Sequence, residues 1–141
     1  MKKITLFTFI VFFITNLSAD ENQLFRAAMT GDLTTIKSLT NGDIRDREGR
    51  TPLYIASCYG QKETIKYLLD KGYDINAIDG SGASALMCSI WNNQIDIAKF
   101  LIESGADVNV KNKWGNTALK QARFKGFKKL EGLLILKGAK E

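Results

Sequence analysis

The 141-residue chain has no histidine, which removes at once the commonest general base and the commonest neutral metal ligand. Its only two thiols, Cys58 and Cys88, fall short of a metal-ligand set. No glycine-rich phosphate loop and no nucleophile paired with a base occurs, so neither catalysis nor a cofactor is expected, and no small-molecule substrate. Proline appears once and no low-complexity tract interrupts a composition that is 45% hydrophobic, as in an ordinary globular chain. The length suits one domain. Acidic residues are scarce in one region only. Lys111 to Glu141 holds 9 basic and 2 acidic side chains, or +7, whereas Asp20 to Val110 holds 9 and 13, or −4. The formal total of +5 is a weak bias towards nucleic acid, but its distribution is lopsided.

A long apolar run occurs once, at the start. Lys2 and Lys3 precede the stretch Ile4 to Leu17, and the small residues Ser18 and Ala19 close it before Asp20 and Glu21. This is the three-part plan of a secretory signal, so residues 1–19 are expected to be a signal peptide, cleaved after Ala19 to deliver residues 20–141 to the periplasm or outside the cell. The run is short of the roughly 20 residues that span a bilayer. Leu17 is bulky for the −3 position, which keeps inner-membrane anchoring by residues 4–17 as the alternative. Export disfavours a nucleic-acid partner. The twin-Lys start and the Lys, Asn and Ile usage suggest a bacterial source.

What remains is periodic. In the segment from Asp46 to Ile78, Gly49, Leu53, Leu68, Gly72, Asp74 and Asn76 recur 33 residues on as Gly82, Leu86, Leu101, Gly105, Asp107 and Asn109. Gly115, Leu119, Leu134 and Gly138 continue the series, while Leu24, Ala27, Gly31, Ile36 and Leu39 form an earlier copy at a spacing of 29. Such a period marks a stacked solenoid. Within the unit, Thr51 can cap a first helix and Pro52 fits its first position. Leu53, Ile55 and Ala56 give that helix an apolar face, and Gly60 ends it. A second amphipathic helix runs through Ile65, Leu68 and Leu69 to Gly72, a left-handed cap. The Asp, Asn and Gly residues that follow supply turns for a projecting finger.

The TPL at 51–53, the Gly after the first helix, the Leu-Leu pair and the GADVN at 105–109 resemble the ankyrin repeat. The resemblance covers residues 20–141 and implies an all-α repeat solenoid of stacked helix pairs with short β-hairpin-like fingers. The repeats fall at about 20–45, 46–78, 79–111 and 112–141. Departures are visible: the His usual after TPL is replaced by Tyr54, Met87 and Lys120, and the third copy reads Ser84-Ala85-Leu86 without proline. Gly132 lies inside the last second helix. The Lys-rich last copy has the polar exterior of a terminal cap.

The resemblance also implies a monomeric module that binds a protein or peptide through its fingers and the exposed side of the first helices. Carried onto this chain, those positions are Met29, Cys58, Trp91 and Phe124, followed by Tyr59, Asn92 and Lys125, with Glu48, Ser81 and Trp114 on the fingers. Tyr59, Trp91, Trp114 and Phe124 would form an aromatic strip, which suits a binding surface because exposed Trp and Tyr are enriched at energetic hot spots. The opposing expectation is that individual rings fold back over the joints between repeats. The basic cluster of Lys111, Lys113, Lys120, Arg123, Lys125, Lys128 and Lys129 is a solvated cap, a seat for an acidic protein or a weak contact with anionic membrane, the last giving a membrane-surface adaptor as the alternative function. Register argues against a Cys58–Cys88 bridge: helices 8 to 10 Å apart with sites offset by a turn exceed the roughly 7 Å reach between Cα atoms. Cys88 is expected in the core and Cys58 exposed on the binding face.

Overall fold

In a computed structural model the structure describes residues 19–40 and 44–141. Most of the leader therefore lies outside the described residues. These hold eight helices in four antiparallel pairs: α1 (Ala19–Thr30) with α2 (Leu33–Leu39), α3 (Pro52–Cys58) with α4 (Lys62–Asp70), α5 (Ala85–Trp91) with α6 (Ile95–Glu103), and α7 (Ala118–Phe124) with α8 (Lys128–Leu136). First helices pack on first helices and second on second, so each pair buries its apolar face against its neighbours.

The local causes recur with the period. Thr51, Ser84 and Thr117 are buried, and each hydroxyl accepts the N–H three residues on, from Tyr54, Met87 and Lys120. That satisfies one orphan donor per first helix, and Ser84 does it where the other copies have threonine. Pro52 sits at the start of α3, where no N–H is needed. Gly72 closes α4 at φ +84, with the Tyr73 N–H reaching back to the Leu68 carbonyl at 3.0 Å, the left-handed cap expected. Leu53, Ile65, Leu68, Leu86, Leu101, Leu119 and Leu134, all periodic positions, are almost completely buried.

The turns are built around one acidic or amide side chain each. Asp46, Asp79 and Asn112, spaced by the repeat, accept backbone N–H groups two and four residues ahead. Successive fingers then join: the Gly80 N–H donates to the Glu48 carbonyl at 2.7 Å and the Lys113 N–H to the Ser81 carbonyl at 2.9 Å. At the opposite turns, Asp74 and Asp107 hold the N–H groups of Asn76 and Asn109, while the Asn76 and Asn109 side chains accept from Asp107 and Lys140 of the next copy.

The cysteines depart from expectation. Cys58 and Cys88 are disulfide-bonded with Cα atoms 5.2 Å apart, and Cys58 is buried while Cys88 is half-buried. The expected separation assumed ordinary helix spacing. The two helices pack directly on one another and carry small buried residues: Ala56, Ser57, Ala85 and Ser89 are fully or almost fully buried, and Ser57 and Ser89 return their hydroxyls to carbonyls of their own helices. Small side chains let the backbones close in. The 30-residue separation against the 33-residue repeat is the helical-turn offset itself, and it brings the two thiols together instead of apart.

Candidate functional site

The fingers and the first helices of the second, third and fourth pairs line an open groove of about 280 Å³. Its walls include Trp91 at the end of α5, Trp114 at the tip of the last finger, Met87, Cys88 and Gln121. Trp91 is 55% exposed, Trp114 72% and Phe124 80%. These are large apolar surfaces held on short, well-capped helices and a hydrogen-bonded turn.

Trp91 is fixed on two sides. The Phe124 ring stacks on it across the joint between the third and fourth pairs, with centroids 6.3 Å apart and planes 13° from parallel. The Lys125 ammonium lies 4.9 Å from its ring centroid and donates to the Trp91 carbonyl at 2.6 Å and to Asn93 Oδ1 at 3.1 Å. The cation over the indole is itself favourable. Between the first two pairs the corresponding tie is a different residue, Gln61, whose amide donates to the Met29 carbonyl at 2.9 Å. Rings do pack over a joint, as the opposing expectation had it, yet they keep most of their surface free.

The positions chosen from the repeat register separate into groups. Trp91 and Trp114 share the groove, and Phe124 and Lys125 brace it. Tyr59 and Met29 are exposed but do not line it. Glu48 is on a neighbouring finger, paired with Arg50 at 2.9 Å. Asn92 is exposed and does not line the groove, its amide donating to the Cys88 carbonyl at 3.0 Å. Cys58, expected as an exposed thiol on this face, is a correction: it is buried 8% from full enclosure and bonded to Cys88.

Sequence reasoning missed Tyr54, Met87 and Gln121 as groove residues. A signal existed for the first two, since Tyr54 and Met87 both occupy the position where the family has histidine. The Tyr54 hydroxyl donates to Asp79 Oδ2 at 3.1 Å, so a tie between copies persists with a different side chain. Burial and the neighbouring Asp79 charge push the Tyr54 phenol well above its ordinary range. Burial alone would raise Asp79, but the Ser81 hydroxyl, the Ala83 and Ser81 N–H groups and the Tyr54 hydroxyl outweigh it and hold the carboxyl low.

The basic end is partly self-contained. Arg123 pairs with Glu131 at 2.8 Å and with Glu141, and Lys128 reaches Glu131 at 3.4 Å. Among the described residues no helix is long and apolar enough to cross a membrane, and no three His, Cys, Asp or Glu side chains converge as a metal site.

The profile of ankyrin repeats, in three copies, matches residues 24–112, and the fourth helix pair repeats the same caps beyond that span. Among characterised proteins, the mouse B-cell lymphoma 3 protein homolog is 35% identical over 109 residues, 74% of this chain and 24% of its own length. The putative ankyrin repeat protein YahD of Escherichia coli is 32% identical over 117 residues, 80% of this chain and 57% of its own. Rabankyrin-5 of mouse is 38% identical over 55 residues, 38% of this chain and 5% of its own. The chain thus spans less than two thirds of each of these relatives. With more than half of its sequence inside the matched span and the matching helix pairs stacked in register, the chain belongs to the ankyrin repeat family, whose modules generally mediate protein–protein interaction and are generally non-catalytic.

Proposed function

We propose that this protein is an exported, non-catalytic module that captures another protein, as a scaffold or an inhibitor, in the groove between its fingers and first helices. The observation that carries the reading is the convergence of two exposed indoles, Trp91 and Trp114, on one open groove. Large rings held rigidly in this way bury much area on binding at little entropic cost, and such residues dominate interface energetics. The groove is open and smaller than the usual enclosed cavity for a small molecule, which favours a macromolecular surface. Export rests on the leader sequence and is supported by the disulfide, since such bridges persist in oxidising compartments.

Cross-linking in the native compartment with mass-spectrometric identification supplies the partner. Trp91→Ala with Trp114→Ala should then reduce its capture at least about tenfold, the loss of one or two hot-spot rings, while circular dichroism shows the domain still folded, since neither ring belongs to the buried core. Undiminished capture refutes the groove. Stoichiometric loss of the partner's activity on binding identifies an inhibitor, and binding without such loss a scaffold. The mass of the mature chain tests export directly, through an N-terminus at Asp20.

A further inference from the structure

Resting on the groove reading above, we propose that the docking segment of the partner is acidic and carries an apolar anchor. The anchor seats between Trp91 and Trp114, and its carboxylates meet Lys113, Lys120 and Lys125.

The three lysines are distributed around the two indoles by the fold. Lys113 precedes Trp114 on the finger, its backbone N–H pinned to the Ser81 carbonyl. Lys120 places its ammonium 3.0 Å from the Gly115 carbonyl, next to Trp114. Lys125 lies on the Trp91 carbonyl at 2.6 Å. Carbonyl and amide oxygens orient an ammonium without neutralising it, and among the described residues none of the three faces a carboxylate within ion-pair distance. Both acidic residues of the last repeat, Glu131 and Glu141, are held by Arg123 instead. On the other side of the groove, Asp79 is occupied by Tyr54, Ser81 and Ala83, and Glu48 by Arg50. The rim therefore carries positive charge without compensation around an apolar floor. A basic segment would meet like charge there, and a neutral one would leave the rim unused.

Both tryptophans of the chain border this groove, so indole fluorescence and the two indole N–H resonances report on it selectively. Three synthetic 12-residue peptides, each with a central phenylalanine and flanks of Asp and Glu, of Ser and Gly, or of Lys and Arg, are titrated into the oxidised full chain. A fourth acidic peptide has alanine in place of phenylalanine. The acidic phenylalanine peptide should bind about tenfold more tightly than the neutral one, the effect of a few exposed ion pairs, and shift both indole resonances. The alanine peptide should lose that shift. Lys113→Glu with Lys120→Glu, both exposed, should abolish the acidic preference while circular dichroism stays unchanged.

Binding of none of the peptides, equal binding of all three flanks, or an acidic preference that survives the charge reversal overturns the proposal. So does a larger blue shift of indole emission with phosphatidylglycerol vesicles than with the acidic peptide, which assigns the rim to a membrane surface. Failure of the groove itself is distinguishable: capture of the native partner would then survive loss of both tryptophans.

Discussion

Reducing the Cys58–Cys88 bridge should lower the stability of the oxidised protein by an amount set by the loop it closes. The cysteines are 30 residues apart. Loop closure of that length removes about 12 cal/mol/K of entropy from the unfolded chain, or about 3.7 kcal/mol at 25 °C in the chain-entropy account. A repeat domain of about 120 residues unfolds with about 0.25 kcal/mol/K of entropy at its midpoint, so the melting temperature should fall by about 15 °C on reduction. Calorimetry with and without a phosphine reductant measures this on a single sample. Because a solenoid couples nearest neighbours, amide exchange should accelerate first in α3 and α5, the two helices that the bridge joins. Two thiols titrating in denatured but unreduced protein would refute the bridge. A melting difference below about 3 °C would refute the loop argument, since it corresponds to less than about 1 kcal/mol.

Other outcomes follow from the finger contacts and the helix ends. Tyr54→Phe removes the hydroxyl that donates to Asp79 and should cost about 1 kcal/mol in urea unfolding, a typical net hydrogen bond. The Asp79 carboxyl is held low in the folded state, so its stabilisation is present above the unfolded value near pH 4 and is lost as pH falls through the folded value; Asp79→Asn should flatten the dependence of the melting temperature on pH below about 4. Gly60→Ala places a Cβ at φ +78 and 2.4 Å from Gln94 Oε1, whereas at Gly126, φ +73, nothing lies within 4 Å. Both should lose about 1 kcal/mol or more for the left-handed backbone, and Gly60→Ala should lose measurably more in the same denaturant titration. Equal losses would show that Gln94 moves aside freely.

The binding strip was only partly legible from the register. Repeat positions identified Trp91 and Trp114 because equivalent residues in a solenoid share a face. They also nominated Tyr59, which faces solvent away from the groove, and Asn92, which spends its amide on the Cys88 carbonyl. Side-chain direction is chosen by local partners that a one-dimensional pattern does not contain. Lys125 illustrates it: a basic residue in a basic cluster becomes the tie that holds Trp91, the part Gln61 plays for Met29 two copies earlier.

By itself, the sequence determined the repeat, the paired helices, the cap at Thr51, and the buried leucines, because each follows from residue chemistry within a few positions or from a strict period. It also located the excess of positive charge in the last repeat. Only the tertiary structure decided that Cys58 and Cys88 meet and that Phe124 stacks on Trp91. Helix stagger and closeness of approach depend on the side chains at the contact, and α3 and α5 carry small buried ones, Ala56, Ser57, Ala85 and Ser89; the distances arise only when the copies are stacked.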